Sequence, residues 1–91
     1  MNAATDTRTL STDALEVGMI VQHYGARLRL TKQTFTAEEA AKRADVEPTL
    51  RAFATEFVGN VNDDRPHSIP ASWLKDWTVQ GNHFAMWRVE A

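Results

Sequence analysis

The sequence predicts a small, mainly β domain of the β-rich α+β kind with one short helix, and three observations predict it. Residues 19–31 and 77–90 alternate apolar and polar side chains around glycine-containing turns, the period of half-buried strands. The one clear helical pattern, residues 36–44, is short and faced only with alanine. The chain is 91 residues long, enough for one core and too short for two. Hydrophobic residues make up 43% and charged residues 24%, which argues against disorder through the body of the chain.

Residues 1–12 are polar, Thr-rich and without a period, and read as a flexible N-terminal tail, leaving residues 13–91 as the domain. Residues 10–17 are short and mixed, compatible with one helical turn opened by Ser11 or Asp13. The stretch M-I-V-Q-H-Y-G-A-R-L-R-L-T (residues 19–31) then predicts a hairpin with a two-residue loop at Tyr24-Gly25 or Gly25-Ala26. Either loop puts Met19, Val21, Leu28 and Leu30 on one side and Ile20, Gln22, Arg27 and Arg29 on the other. A three-residue loop would slip the register by one and mix polar with apolar on both faces.

Thr36 and Glu39 form a T-x-x-E capping box, followed by Ala37, Ala40, Ala41 and Ala44 at helical spacing. The helix predicted from Thr36 to about Ala44 can lie close on a sheet but adds little apolar area, and Pro48 bars its extension. Residues 50–58, L-R-A-F-A-T-E-F-V, fit a strand by alternation and also a helical face through Leu50, Phe53, Ala54 and Phe57. Aromatic and β-branched residues at the far end, followed by Gly59-Asn60, favour the strand. Residues 60–67 read as a polar turn, and residues 69–76 as a single helical turn with Pro70 first and Trp73 and Leu74 pointing inward.

The last stretch, W-T-V-Q-G-N-H-F-A-M-W-R-V-E, carries Gly81-Asn82 as a hairpin signal, with glycine supplying the positive φ that primed turns require. Loops of two or four residues both set Trp77 opposite Met86 and Val79 opposite Phe84. That pairing predicts Trp77, Val79, Phe84 and Met86 on the core side. Thr78, Gln80, His83, Ala85, Trp87 and Val89 then fall on the opposite side.

The layout from Leu15 to Val89 resembles the SH3-like small barrels. The residues that carry the likeness are Leu15-x-Val17-Gly18 before the first hairpin and the single turn at I-P-A-S-W-L before the closing strands. The resemblance implies a small, partly open SH3-like barrel, from which the alanine-rich helix between strands departs. In size and texture the chain is also similar to accessory proteins of phages and mobile elements, including inhibitors of bacterial defence systems. That likeness implies a host protein as target, blocked sterically or by acidic mimicry through groups such as Glu38, Glu39, Asp45, Asp63 and Asp64.

Several function classes are disfavoured by what the chain carries. It has no cysteine, so disulfides, Cys-based zinc sites and thiol nucleophiles are excluded, and the expected compartment is reducing and cytoplasmic. No apolar run approaches the roughly 20 residues of a membrane span. The three histidines, His23, His67 and His83, have no His or Cys neighbour at ligand spacing, and Asp63, Asp64 and His67 read as a solvated loop more readily than as a metal site. His67 and Ser68 are adjacent in a loop, which seldom gives nucleophile–base geometry, so the expectation is a non-enzymatic protein with no cofactor.

What remains is binding. A large apolar residue on the solvent side of a sheet is either covered by a second layer or displayed to a partner. For Trp87 and Ile20 the candidate covers are the alanine-rich helix, the N-terminal segment or the turn at Trp73. The displayed alternative makes Trp87 the anchor of a protein-binding face with Ile20, Tyr24, Arg27, Arg29, Gln80 and His83, residue types that carry interface energy. A homodimer through that face is a variant, as an alternative to a monomer. The competing class is single-stranded nucleic acid held on the Arg27 and Arg29 face against an aromatic platform, although a formal net charge of −2 supplies no global basic field.

Overall fold

The computed structural model describes residues 6–45, 48–62, 64–82 and 84–91. Six antiparallel strands form one sheet: β1 (Thr7–Ser11), β2 (Ile20–His23), β3 (Ala26–Phe35), β4 (Arg51–Asn60), β5 (Thr78–Gly81) and β6 (Met86–Glu90). Their order across the sheet is β1-β6-β2-β3-β4-β5, so the sheet is open, with β1 and β5 at its edges. Among the described residues, two short helices, α1 (Ala37–Lys42) and α2 (Ala71–Leu74), and a 3-10 turn at Thr12–Ala14 accompany the sheet. Among the described residues no helix is long and apolar enough to cross a membrane.

The β2–β3 hairpin follows from its alternation. Val21 stands opposite Leu28 and His23 opposite Ala26, which leaves Tyr24-Gly25 as a two-residue loop. Both loop residues have left-handed backbones, φ 50° and 81°, the primed geometry whose twist matches that of the flanking strands. Val21, Ala26, Leu28 and Leu30 are all fully buried. The residues of the other face, Ile20, Gln22, Arg27 and Arg29, are paired across the same ladder.

β3 and β4 are ten residues each, and their pairing slips at Arg27/Leu28, Leu30/Lys32 and Gln33/Phe35. Such bulges bend a strand and deepen its twist, and the sheet covers its own apolar face. Val89, Val21, Leu30, Phe53 and Val79, one from each of β6, β2, β3, β4 and β5, meet around Leu15 in the main core. A second cluster joins Ala26, Leu28 and Ile69, with Leu74 of α2 and Trp77 packed against it.

The capping box of α1 forms as the sequence indicates, with the Thr36 hydroxyl accepting from the Glu39 backbone N–H at 3.2 Å, and the helix ends at Lys42. Residues 51–60 are strand throughout. Three expectations are overturned. The assigned tail does not run to residue 12: Thr7–Ser11 pairs with β6 along its whole length, Leu10 opposite Trp87. Trp73 does not point inward but is 61% exposed, because a single turn buries one side and Leu74 takes it.

The largest correction concerns the closing segment. β5 and β6 do not pair with each other: β5 lies on β4 at one edge, and β6 runs between β1 and β2. The Gly81-Asn82 signal makes a turn of another kind. The Asn82 side-chain oxygen accepts from the backbone N–H groups of Phe84 (3.0 Å) and Ala85 (3.1 Å), an Asx turn, and Gly81 is absent from the left-handed positions. Glycine eases a close approach there, since a Cβ on it would lie 3.0 Å from that of Ala85, tighter than an ordinary contact. The facing of β6 is therefore set by β1 and β2 rather than by β5. Trp87 and Val89 turn inward, while Phe84 and Met86, expected in the core, are 71% and 59% exposed.

Thr12, 1% exposed, closes this corner. Its backbone N–H (2.9 Å) and hydroxyl (3.2 Å) both donate to the Ala85 carbonyl, and the same hydroxyl oxygen accepts from the Trp87 indole N–H at 2.7 Å. Thr12→Val keeps the shape and removes both side-chain bonds, leaving the indole donor without its acceptor. Urea denaturation should show a loss of about 1 to 3 kcal/mol, and a variant as stable as the parent would show that this corner bears no weight.

Candidate protein-binding face

The outer face of β6, β2, β3 and β4 is built from cross-strand pairs. One row runs Thr9, Arg88, Gln22, Arg27, Gly59, each residue opposite the next. In the neighbouring row, Arg29 stands between Ile20 and Glu56, and Glu90 continues β6 opposite Thr7.

Glu90 organises this face. Arg27 donates to both of its carboxylate oxygens, Nε to Oε2 at 2.7 Å and Nη2 to Oε1 at 2.9 Å, and the Gln22 amide donates at 3.1 Å. Only 7% of the Glu90 side chain is exposed. The Arg27 hydrogen bonds hold its carboxyl below the usual glutamate range, with the Gln22 bond and the Arg27 charge acting in the same direction and burial opposing them. Arg29 meets Glu56 at 3.4 Å, an exposed pair of small energetic weight. Two of the outer-face arginines therefore have carboxylate partners. Arg88, exposed between Thr9 and Gln22, has none among the described residues.

The hairpin tip adjoins this face. Tyr24 is 59% exposed and holds a left-handed backbone, the one non-glycine residue with positive φ among those described. A bulky aromatic is uncommon in that conformation. The loop after β4 anchors the tip: Ser68 N–H donates to the Tyr24 carbonyl at 2.9 Å and Val61 N–H to the Gly25 carbonyl at 2.8 Å. An open hollow of about 250 Å³ lies here, lined by Gln22, His23, Tyr24, Gly25, Val61 and Arg88.

Beneath the tip, the two tryptophans flanking Gly81-Asn82 approach one histidine. The His23 ring centroid lies 4.2 Å from Tyr24, 5.0 Å from Trp87 and 6.0 Å from Trp77. Burial lowers the pKa of His23. The Trp77 indole N–H is buried with no acceptor among the described residues.

The candidate face is thus brought together in part. Ile20, Arg27 and Arg29 share the outer side as expected, with Tyr24 at the adjoining tip. Trp87 is not on it: the β1 and β2 ladders turn it to the core side, where it is half-buried. Gln80 is exposed on the edge strand β5 opposite Ala52, separated from β2 by β3 and β4. His83 lies outside the described residues, as does Asp63. Of the other acidic candidates, Glu38, Glu39 and Asp64 are exposed, and Asp45 is paired with Arg43 at 3.1 Å. No group of three His, Asp or Glu side chains suited to a metal occurs among the described residues.

Sequence reasoning missed Arg88 and Glu90. The signal was present in W-R-V-E itself, where Trp87 and Val89 alternate with Arg88 and Glu90 at the strand period; the assumed hairpin register obscured which set turned outward. Comparison with protein-family models, with curated proteins and with solved structures finds no match for this chain.

The shifts at Glu90 and His23 predict acid sensitivity. Glu90 has a lowered folded-state pKa, so its contribution is complete above the ordinary glutamate value of about 4.3 and is lost as pH falls through the folded value. His23 is also lowered, so folding disfavours its protonation and stability is lost as pH falls below about 6.5. Stability measured from pH 8 to pH 3 should decline in two windows. Glu90→Gln should flatten the lower one and His23→Gln the upper one, and unchanged slopes would contradict these assignments.

Proposed function

We propose that this chain is a non-enzymatic protein-interaction module of the SH3-like small-barrel type, which engages its partner through the β2–β3 tip and the adjoining outer face. The observation that carries the reading is Tyr24: a large ring, mostly exposed, kept in a left-handed backbone where glycine or asparagine would be unstrained. Strain retained at an exposed aromatic is better explained by recognition than by folding, and tyrosine is among the side chains that dominate interface energies.

Five strands in the order β6-β2-β3-β4-β5 around one core, with β1 added at the edge, support the small-barrel likeness. The similarity in size and texture to phage accessory proteins points to a host protein as partner and to steric blocking as the mode. Carboxylates beside Arg27 and Arg29 favour a protein over a phosphate backbone, because a polyanion gains affinity from several cations free to replace its counterions.

Tyr24→Asn separates binding from folding. Relief of the left-handed backbone and loss of ring contacts are each worth about 1 kcal/mol and oppose each other, so the variant should denature within about 1 kcal/mol of the parent. In affinity capture with quantitative mass spectrometry, proteins retained by the parent should be depleted about tenfold or more by the variant, the scale of a lost hot-spot contact. Equal capture by both would overturn the reading.

A further inference from the structure

We infer that Arg88 anchors a subsite for an acidic peptide segment, an inference that rests on the protein-binding reading above and assigns its partner a chemistry. Alternation in β6 turns Arg88 outward while Trp87 and Val89 turn in, and its register neighbours, Thr9 and Gln22, are both uncharged. Arg27 meets Glu90, and Arg29 meets Glu56. Arg88 is exposed and has no carboxylate partner among the described residues.

The surroundings restrict what this guanidinium takes. It lines the hollow at the hairpin tip with Tyr24, Val61 and Gln22. At about 250 Å³, the hollow falls below the roughly 300 to 1,000 Å³ of small-molecule pockets and suits side chains of a partner chain. A carboxylate can take two parallel hydrogen bonds from one arginine. Gln22 donates its amide N–H to Glu90, which leaves its carbonyl oxygen as an acceptor for a backbone N–H. Tyr24 and Val61, 59% and 44% exposed, present apolar surface to a neighbouring side chain. The occupant is therefore a segment with Asp or Glu adjacent to an aromatic or aliphatic residue. With Arg27 and Arg29 already paired, a single outer-face arginine without a carboxylate partner among the described residues fits one carboxylate better than a run of phosphates.

The test is selection from a displayed library of random ten-residue peptides against the full chain. Fluorescence anisotropy then follows with labelled binders, their Asp→Asn or Glu→Gln versions, and a 20-residue oligothymidylate. Selected peptides should carry an acid beside an apolar residue, and the amide versions should bind about tenfold more weakly, as for one charge-assisted contact. Arg88→Ala should cost about the same and add no further loss with the amide peptide, whereas Arg88→Lys should cost less because it keeps the charge but not the fork. Thermal unfolding should be unchanged in both variants, Arg88 being exposed. Binders that need Tyr24 but ignore both Arg88 and the peptide acid would overturn the subsite and leave the protein-binding reading standing. Oligothymidylate binding with no peptide selected would overturn both, and failure of every probe to bind would overturn the subsite.

Discussion

The fold turns on one buried hydroxyl. Thr12 holds the end of the first strand against the start of β6, donating to Ala85 and accepting from Trp87. The two edges of an open sheet meet at this corner. Gly81 permits the approach, with Ala85, Thr12 and Trp87 all close to where its side chain would stand. Arg51, its side chain 13% exposed, reaches toward Asp13 from the start of β4 at 3.7 Å. A sheet that bends on its own core has no second layer to hold its edges, so a polar contact that is buried and satisfied at the seam defines how far it curls.

The inward position of Trp87 decides what the outer face becomes. With Trp87 packed against the main core, β6 offers Arg88 and Glu90 to the outside. Glu90 can be nearly buried there only because Arg27 and Gln22 satisfy its oxygens; an unpaired carboxylate at that exposure would be costly. The same ion pair consumes the charge of Arg27. On this face Arg27 and Arg29 are paired with carboxylates, Arg88 has no carboxylate partner among the described residues, and Tyr24, in its left-handed backbone, stands at the border.

Elements governed by neighbouring residues were legible in the sequence. Tyr24-Gly25 and the alternation around it determine the first hairpin, T-x-x-E opens α1, and the aromatic, β-branched end of β4 selects strand over helix. Elements whose facing depends on distant partners were not. Thr7–Ser11 has no apolar alternation beyond Leu10 and becomes a strand only because β6 supplies a ladder. Gly81-Asn82 carries chemistry common to hairpins and Asx turns, and the choice between them depends on Thr12, about seventy positions earlier. That single ambiguity exchanged Trp87 and Val89 for Phe84 and Met86 in the expected core and hid Arg88 from the expected face.

Hydrogen exchange at the three indole N–H groups, resolved by nuclear magnetic resonance, tests this account most directly. The Trp87 proton, bonded to a Thr12 hydroxyl in a buried corner, should exchange far more slowly than that of Trp73, which stands on an exposed helical turn. Exchange of Trp87 as fast as Trp73 would mean that the indole faces solvent, and would contradict both the closing corner and the outer face derived from it.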